Sequence, residues 1–166
     1  MVASPFSIAP FLPADQPAVK ALVLDGLAGH FGALDPALNP DLDDIAAHYA
    51  GAVFLVARRD TVARRDGSAA SGNTVVGCGG LVPLDAETGE IVRMSVAKDA
   101  RRQGIGRRIL GALCGEARKL ELRRLVLETT VDWTGVRRFY EDYGFTFTHE
   151  QDHRHSRQAH YELYLA

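Results

Sequence analysis

The spacing of apolar residues along the chain alternates between that of helices and that of strands. Residues 15–29 are predicted to form a helix, because apolar side chains recur there every three or four positions: Val19, Leu22, Val23 and Leu27. Asp15 is the expected N-cap of this helix. The same spacing predicts three further helices, over residues 41–50, 104–120 and 132–143.

Shorter apolar runs between these helices predict seven strands, at residues 7–9, 53–57, 74–84, 90–97, 124–128, 145–149 and 160–165. Glycines within residues 74–84 indicate a bulge or a close approach of the backbone. Residues 58–73 are polar and rich in glycine and serine, which predicts a long loop. The order of elements predicts an α+β fold, with one mixed sheet and helices on both faces.

Composition bounds the class of protein. The chain has 166 residues, of which 46% are hydrophobic and 24% are charged, and this predicts a single domain over residues 1–166. No run approaches the roughly 20 apolar residues of a membrane span, and the N-terminus lacks the pattern of a secretory signal. Two cysteines, Cys78 and Cys114, make no disulfide framework and no zinc spacing. We therefore expect a cytoplasmic protein with no membrane partner.

Basic residues are concentrated in one segment. Residues 98–124 hold nine of the 19 lysines and arginines but only three of the 21 acidic residues. A basic segment in a chain of net charge −2 indicates a local anionic ligand rather than a polyanion. The segment has no interleaved aromatic residues, so we expect no nucleic-acid partner.

The centre of this basic segment has the pattern of an anion site. A predicted strand, a short loop and a helix follow one another, and Gly104 and Gly106 lie where the helix begins. The N-terminus of a helix offers unpaired N–H groups and partial positive charge, which suit phosphate. Two common phosphate loops do not fit: the dinucleotide motif would need glycine at Ile109, and the Walker motif would need lysine at Ala112.

At these residues the chain resembles the GCN5-related N-acetyltransferase (GNAT) superfamily. Arg101-Arg102-Gln103-Gly104-Ile105-Gly106 is similar to the family's loop for the pyrophosphate of acetyl-CoA. The resemblance implies the GNAT acyl-CoA N-acyltransferase fold, with a mostly antiparallel central sheet. It implies backbone contacts to the pantetheine arm from Met94, Ser95 and Val96. It also implies that the pyrophosphate is bound by the residues of this loop: Arg101, Arg102, Gln103, Gly104, Ile105, Gly106 and Arg107.

A second motif, together with the order of elements, extends the resemblance over nearly the whole chain. Tyr140-Glu141-Asp142-Tyr143-Gly144-Phe145 looks like the family's Tyr-x-x-x-Gly-Phe helix end, and in many members that tyrosine protonates the departing CoA thiolate. The role carries over to Tyr140. Many members have an asparagine seven residues earlier, where this chain has Trp133. We expect Trp133 to pack on CoA or to shape the acceptor pocket.

Two carboxylates are candidates for the base that accepts a proton from an amine acceptor. Glu90 lies on the predicted strand of residues 90–97, with the same parity as Met94 and Val96, and some histone-type members of the family have their base there. Glu128 ends an apolar strand, and ribosomal-protein acetyltransferases of the family have a catalytic glutamate at its position. His30, Asp35 and the histidines of residues 149–160 are further candidates for residues that line the acceptor pocket.

The resemblance implies an enzyme that transfers the acetyl group of acetyl-CoA directly to a primary amine in a ternary complex. No metal is expected, because the histidines of residues 149–160 show no tetrahedral ligand pattern. The alternative is a catalytically weak acyl-CoA-binding sensor or interaction domain of the same fold. Homodimers are common in the family, and the sequence leaves both the acceptor and the oligomeric state open.

Overall fold

A computed structural model of the chain, which describes residues 5–59 and 74–166, contains a sheet of seven strands in the order β1-β2-β3-β4-β5-β7-β6. The strands are β1 (Phe6–Pro10), β2 (Val53–Arg59), β3 (Thr74–Pro83), β4 (Thr88–Val96), β5 (Arg124–Thr130), β6 (Thr146–Asp152) and β7 (Arg157–Tyr164). Only β4 and β5 pair in parallel, and the other neighbouring strands are antiparallel. The predicted mixed, mostly antiparallel sheet is confirmed.

Four α-helices accompany the sheet in the described part of the chain: α1 (Gln16–Phe31), α2 (Ile45–His48), α3 (Ile105–Lys119) and α4 (Thr134–Tyr143). The prediction for residues 41–50 was wrong in length. Pro40–Leu42 forms a separate 3-10 turn, and the Asp44 carboxylate accepts the N–H of Ala47 at 3.0 Å. That cap begins α2 four residues later than predicted.

Asp15 occupies the predicted N-cap position of α1, but its side chain makes no capping hydrogen bond. Its carboxylate instead forms a buried ion pair with Arg58 of β2 and accepts the N–H of Leu12 at 2.8 Å. The prediction failed because a buried arginine on a distant strand needs a charged partner more than a solvent-exposed helix end does.

Apolar side chains pack on both faces of the sheet. The cluster on one face contains Val19 of α1, Ile45 of α2 and Phe54 of β2. The cluster on the other face contains Ile109 of α3 and Tyr140 of α4. We call these the α1 face and the α3 face. Successive residues of β2 alternate between the two clusters, as strand geometry requires, and the prediction of helices on both faces is confirmed.

Glycines of β3 bring α3 close to the sheet. A Cβ atom on Gly77 would lie 2.8 Å from Cδ1 of Ile109, and one on Gly79 would lie 2.5 Å from Sδ of Met94. The close approach predicted for residues 74–84 is therefore present. Of the predicted loop over residues 58–73, Arg58 and Arg59 belong to β2, and residues 60–73 lie outside the described residues. Within residues 5–59 and 74–166, none of the helices has the length and apolarity of a bilayer span.

Candidate functional site

The two central strands separate and leave a wedge in the sheet. β4 and β5 pair only from Thr88 with Arg124 to Glu90 with Val126. Beyond that point β4 stays on β3 as far as Val96, and β5 stays on β7 as far as Thr130. In the described part of the chain, the β5 side of β4 thus has no strand partner after Glu90. An extended ligand can add to this edge as an extra strand would.

A β-bulge reverses the side-chain order of β4 inside the wedge. The register with β3 shifts between Cys78 and Gly80, and Arg93, opposite this shift, has a φ of 52°. Ahead of the bulge, Val92 packs near Phe54 on the α1 face; after it, Met94 packs near Ile109 and Leu113 on the α3 face. The prediction that Glu90 shares the face of Met94 and Val96 was wrong, because the extra residue changes the parity. Glu90 shares the parity of Val92 and lies on the α1 face.

An ion-pair network anchors the bulge. The Arg93 guanidinium donates to both carboxylate oxygens of Asp41, at 2.8 and 2.6 Å, and to Oδ1 of Asn39 at 3.1 Å. The Tyr49 hydroxyl donates to Asp41 at 2.7 Å. Burial alone would raise the pKa of Asp41, but the hydrogen bonds from Arg93 and Tyr49 outweigh it and hold that pKa below its usual value. The segment before α2 is thereby fixed to the strand that borders the wedge.

The loop between β4 and α3 presents backbone amides at the wide end of the wedge. Gly104 is left-handed, with φ 78°, and caps α3 without a side-chain hydrogen bond. The first helical bond runs from the N–H of Arg108 to the carbonyl of Gly104, at 3.0 Å. The N–H groups of Ile105, Gly106 and Arg107 therefore precede the intrahelical ladder. A Cβ atom on Gly104 would meet nothing within 4 Å, so the space beside this residue is open.

The arginines of this segment are placed differently from one another. Arg101 donates from Nε to the carbonyl of Val96 at 3.1 Å, which ties the loop to the end of β4. Arg107 lies over the ring of Tyr143, with 5.2 Å from Cζ to the ring centroid. Arg102 has a φ of 61° and an exposed side chain. The predicted loop residues thus surround the N-terminus of α3.

Tyr140 lies in the α3-face core, where its ring contacts Phe139 and Phe145 edge-on. It is 6% exposed, and burial raises the pKa of its hydroxyl. Among the described residues, only Nε2 of His160 is a fully buried side-chain polar atom without a partner. No hydrogen bond to the Tyr140 hydroxyl occurs among the described residues. The adjacent Phe139 lies at Gly106, 3.5 Å from where its Cβ would be.

Trp133 is the N-cap residue of α4 and faces the end of α1. Its ring stacks on His30, with centroids 4.1 Å apart, and lies 5.2 Å from the ring of Phe31. Its side chain is half-buried. Asp35, the other predicted acceptor-side group of this region, accepts the N–H of Ala37 at 2.9 Å and so caps a turn.

The two candidate carboxylates lie on the same face of the sheet, on opposite sides of the wedge. Glu90 is half-buried, and its pKa is raised by burial and by the negative charge of Glu128. Glu128 is more exposed; its Oε2 lies 3.8 Å from Nε2 of His160 and 3.9 Å from Nε2 of His153. Burial and the neighbouring His149 lower the pKa of His160. The side of the wedge that carries Glu90 and Glu128 is therefore acidic, whereas the loop before α3 is basic.

The sequence did not identify two groups at this site, Arg93 and Asp41. Arg93 could not be recognised as a bulge residue, because a polar residue between two apolar ones also occurs at every ordinary exposed position of a strand. Asp41 was assigned only to a helix start. The adjacent apolar residues Ile91 and Val92 interrupt the alternation, and they were the available sign that β4 does not keep one parity.

Acetyl-CoA fits this arrangement. The open edge of β4 suits the amide-bearing pantetheine arm. The free amides at the start of α3, with positive charge from Arg101, Arg102 and Arg107, suit its pyrophosphate. The lack of a Cβ atom at Gly104 leaves room for phosphate oxygens next to the backbone.

The family model described as "Acetyltransferase (GNAT) family" matches residues 31–145. The chain is 36% identical over 132 residues to the IAA acetyltransferase of Azospirillum brasilense, covering 78% of each protein. It is also 35% identical over 82 residues to the uncharacterized N-acetyltransferase YsnE of Bacillus subtilis, covering 48% of this chain. The latter match spans about half of its relative, 54% of the length.

Solved structures share the fold. An acetyltransferase of the GNAT family from Staphylococcus aureus Mu50 superposes with a TM-score of 0.79 at 21% identity, covering 97% of this chain and 99% of that one. The putative acetyltransferase yncA from Salmonella typhimurium, solved with acetyl-CoA, gives a TM-score of 0.73 at 20% identity, covering 98% and 95%. The family model and the Azospirillum relative show that the chain belongs to the GNAT family of acetyltransferases and is an acyltransferase, and the solved structures share its fold.

Proposed function

We propose that the protein transfers the acetyl group of acetyl-CoA to a primary amine by direct attack in a ternary complex. The observation that supports this proposal is the wedge, with the half-buried Glu90 at its apex and the free backbone amides before α3 at its wide end. A carboxylate with a raised pKa is a better proton acceptor than an ordinary glutamate.

In this proposal acetyl-CoA lies along the free edge of β4. Backbone groups of Met94, Ser95 and Val96 bind the pantetheine arm, and the amides of residues 102–107 bind the pyrophosphate. The acceptor enters from the α1 face, where Trp133 and His30 form one wall. The carboxylates of Glu90 and Glu128 attract its ammonium group.

The reaction then follows in balanced steps. The ammonium gives one proton to the Glu90 carboxylate, directly or through water, and the free amine nitrogen attacks the thioester carbon. The new C–N bond forms, the backbone N–H groups near Val96 stabilise the negative oxygen, and the C–S bond breaks. The Tyr140 hydroxyl gives its proton to the CoA thiolate and is later reprotonated by solvent. The second proton of the attacking nitrogen leaves to solvent.

Neither cysteine suits a covalent acetyl-enzyme. Cys78 is completely buried, and burial raises the pKa of its thiol to about 12. Cys114 is also buried, and burial raises its pKa. A thiol must ionise and be accessible to act as a nucleophile, so both properties favour direct transfer.

Acetyl-CoA binding at two salt concentrations, followed by a thiol-release assay over a panel of amines, tests the proposed function. We expect binding that weakens with salt and turnover on at least one class of primary amine. Saturable binding with no turnover on small amines, amino acids, aminoglycosides or peptide N-termini would instead favour the acyl-CoA sensor. An acetylated protein chain isolated during the reaction would contradict direct transfer.

Replacing Gly104 by valine is expected to weaken acetyl-CoA binding at least about tenfold. A β-branched residue is strained at φ 78°, and its side chain would fill the open space at this position. Isothermal titration of acetyl-CoA measures the effect. Gly115→Ala is the matched control within α3: its Cβ meets nothing, so it should stabilise the fold by about 0.5–1 kcal/mol and leave binding unchanged. Equal affinity of Gly104→Val and wild type for acetyl-CoA would show that the loop does not bind it.

Replacing Tyr140 by phenylalanine should lower kcat about 10²-fold and leave the KM for acetyl-CoA nearly unchanged, as expected for loss of a general acid. Phenylalanine keeps the ring contacts with Phe139 and Phe145, so the fold should persist. Steady-state kinetics from pH 6 to 9 measure the change, with Tyr164→Phe, 66% exposed, as control. Full kcat across this range would leave Tyr140 a packing residue only.

A further inference from the structure

Three side chains converge on the acidic side of the wedge. Glu128 comes from β5, His160 from β7 and His153 from the turn between β6 and β7. One carboxylate oxygen and one ring nitrogen from each histidine all lie within 4.8 Å of one another. We call these three residues the Glu–His–His group. No role assigned above to the transfer reaction uses its histidines.

The fold itself brings the group together. Glu128 and His160 are paired in the register of β5 and β7, so their side chains leave the sheet on the same face. The hairpin is closed by a hydrogen bond from the N–H of His153 to the carbonyl of Ser156, at 2.9 Å. The ring of His149 stacks on that of His160, with centroids 4.3 Å apart and planes within 5°, which limits the rotation of His160.

The distances within the group are longer than hydrogen bonds and slightly longer than the spacing of ligands on one metal ion. Oε2 of Glu128 lies 3.8 Å from Nε2 of His160 and 3.9 Å from Nε2 of His153, beyond hydrogen-bond range. Ligand atoms bound to one tetrahedral zinc ion are about 3.4 Å apart, which small side-chain rotations would reach.

One ring nitrogen of the group lacks a hydrogen-bond partner among the described residues. Nε2 of His160 is fully buried and has no hydrogen-bond partner among the described residues, a state that costs free energy unless a ligand satisfies the atom. Arg157 of the hairpin does not compete for Glu128, since it pairs with Glu150 at 3.0 Å and with Asp152 at 3.6 Å.

We propose that Glu128, His153 and His160 form a binding site for a divalent transition-metal ion of the zinc class. Two imidazoles and one carboxylate are ligands that zinc accepts, with water or an acceptor group in the fourth position. The ion would cover the carboxylate of Glu128 and place positive charge on the acceptor side. If the proposed function holds, zinc then inhibits transfer to a cationic amine by competing with it.

Isothermal titration of untagged, metal-free protein with ZnCl2 tests the site, and the visible spectrum of the Co²⁺-loaded protein gives a second readout. We expect one ion per chain and a tetrahedral cobalt spectrum. His153→Ala and His160→Ala should each weaken binding by at least about tenfold. His155→Ala is the matched control, because His155 is exposed in the same turn and outside the group, and it should bind like wild type.

Each possible result of these titrations either supports or overturns the proposed metal site. Absence of saturable binding to wild type, or equal binding in His153→Ala and His155→Ala, would overturn it. Loss of binding in both group variants with retention in the control would establish it. Circular dichroism of each variant checks folding, and the two separate group variants guard against one that fails to fold. Binding is measured without acetyl-CoA or amine, so failure of the proposed transfer reaction would leave this result standing.

Discussion

Replacing Glu90 by glutamine is expected to reduce kcat/KM for amine acetylation about 10³-fold, within the range for loss of a general base. Glutamine has the same shape but cannot take a proton from the ammonium. In the wild type, kcat/KM should rise with pH as the Glu90 carboxyl ionises, with a midpoint above the usual value of 4.5 because burial and Glu128 raise this pKa. The variant should lack this limb of the profile.

The same substitution should stabilise the protein at neutral pH. A folded-state pKa above the unfolded one means that the native protein disfavours the charged carboxylate. The unfavourable contribution is absent below the unfolded pKa and complete above the folded pKa. Thermal melts should therefore show Glu90→Gln above wild type at pH 7, with the difference vanishing near pH 4.

Glu87→Gln is the matched control for Glu90. The Glu87 side chain is 65% exposed and its partner Arg123 is 3.5 Å away and 78% exposed, so its loss should alter neither rate nor melting. A Glu90→Gln variant that is both active and no more stable than wild type would contradict the assignment of Glu90. A variant that is inactive but less stable would indicate a structural role.

Replacing Asp41 by alanine is expected to lower the free energy of unfolding by about 3 kcal/mol, the lower end of the range for breaking a buried ion pair. The Asp41 side chain is 9% exposed and that of Arg93 is 22% exposed. The substitution leaves the Arg93 guanidinium without its carboxylate, while Asn39 remains as a partner. Urea unfolding followed by circular dichroism measures the change.

The loss should also reach the site, because Arg93 carries the bulge that orients residues 94–96. We expect the KM for acetyl-CoA to rise in Asp41→Ala at temperatures where the variant is still folded. Wild-type stability should fall as pH drops through the lowered native pKa of Asp41, since the contribution of a depressed pKa is complete above the unfolded value and is lost below the folded one. This acid-dependent part should be missing from the variant.

Asp43→Ala controls for charge in the same segment. Asp43 pairs with Lys20 at 2.7 Å, but the two side chains are 67% and 40% exposed, and such surface pairs contribute about 0–1 kcal/mol. A destabilisation in Asp41→Ala no larger than that in Asp43→Ala would contradict the anchoring role of the Arg93 network.

The order of elements and the candidate anion loop followed from the sequence alone. Their signals are local: the apolar stripe that contains Ile105, Ile109 and Leu113 has helical period, and Gly104 marks the start of that helix. The start of β5 and the end of α4 at Gly144 were likewise predicted to within a residue. Local steric and hydrogen-bond preferences determine such features, and these preferences depend on residues that are close together in the sequence.

Tertiary structure decided which groups face each other. The partner of Asp15 is Arg58, 43 residues away, and that of Arg93 is Asp41, 52 residues away, so no local pattern reports either pair. The bulge at Arg93 turned Glu90 to the α1 face, toward Glu128, whereas simple alternation had placed it with Met94 and Val96. The pairing of β5 with β7 set His160 beside Glu128. Sequence periodicity specifies faces of single elements, while strand register and buried charge pairing, which are long-range, determine the chemistry of the site.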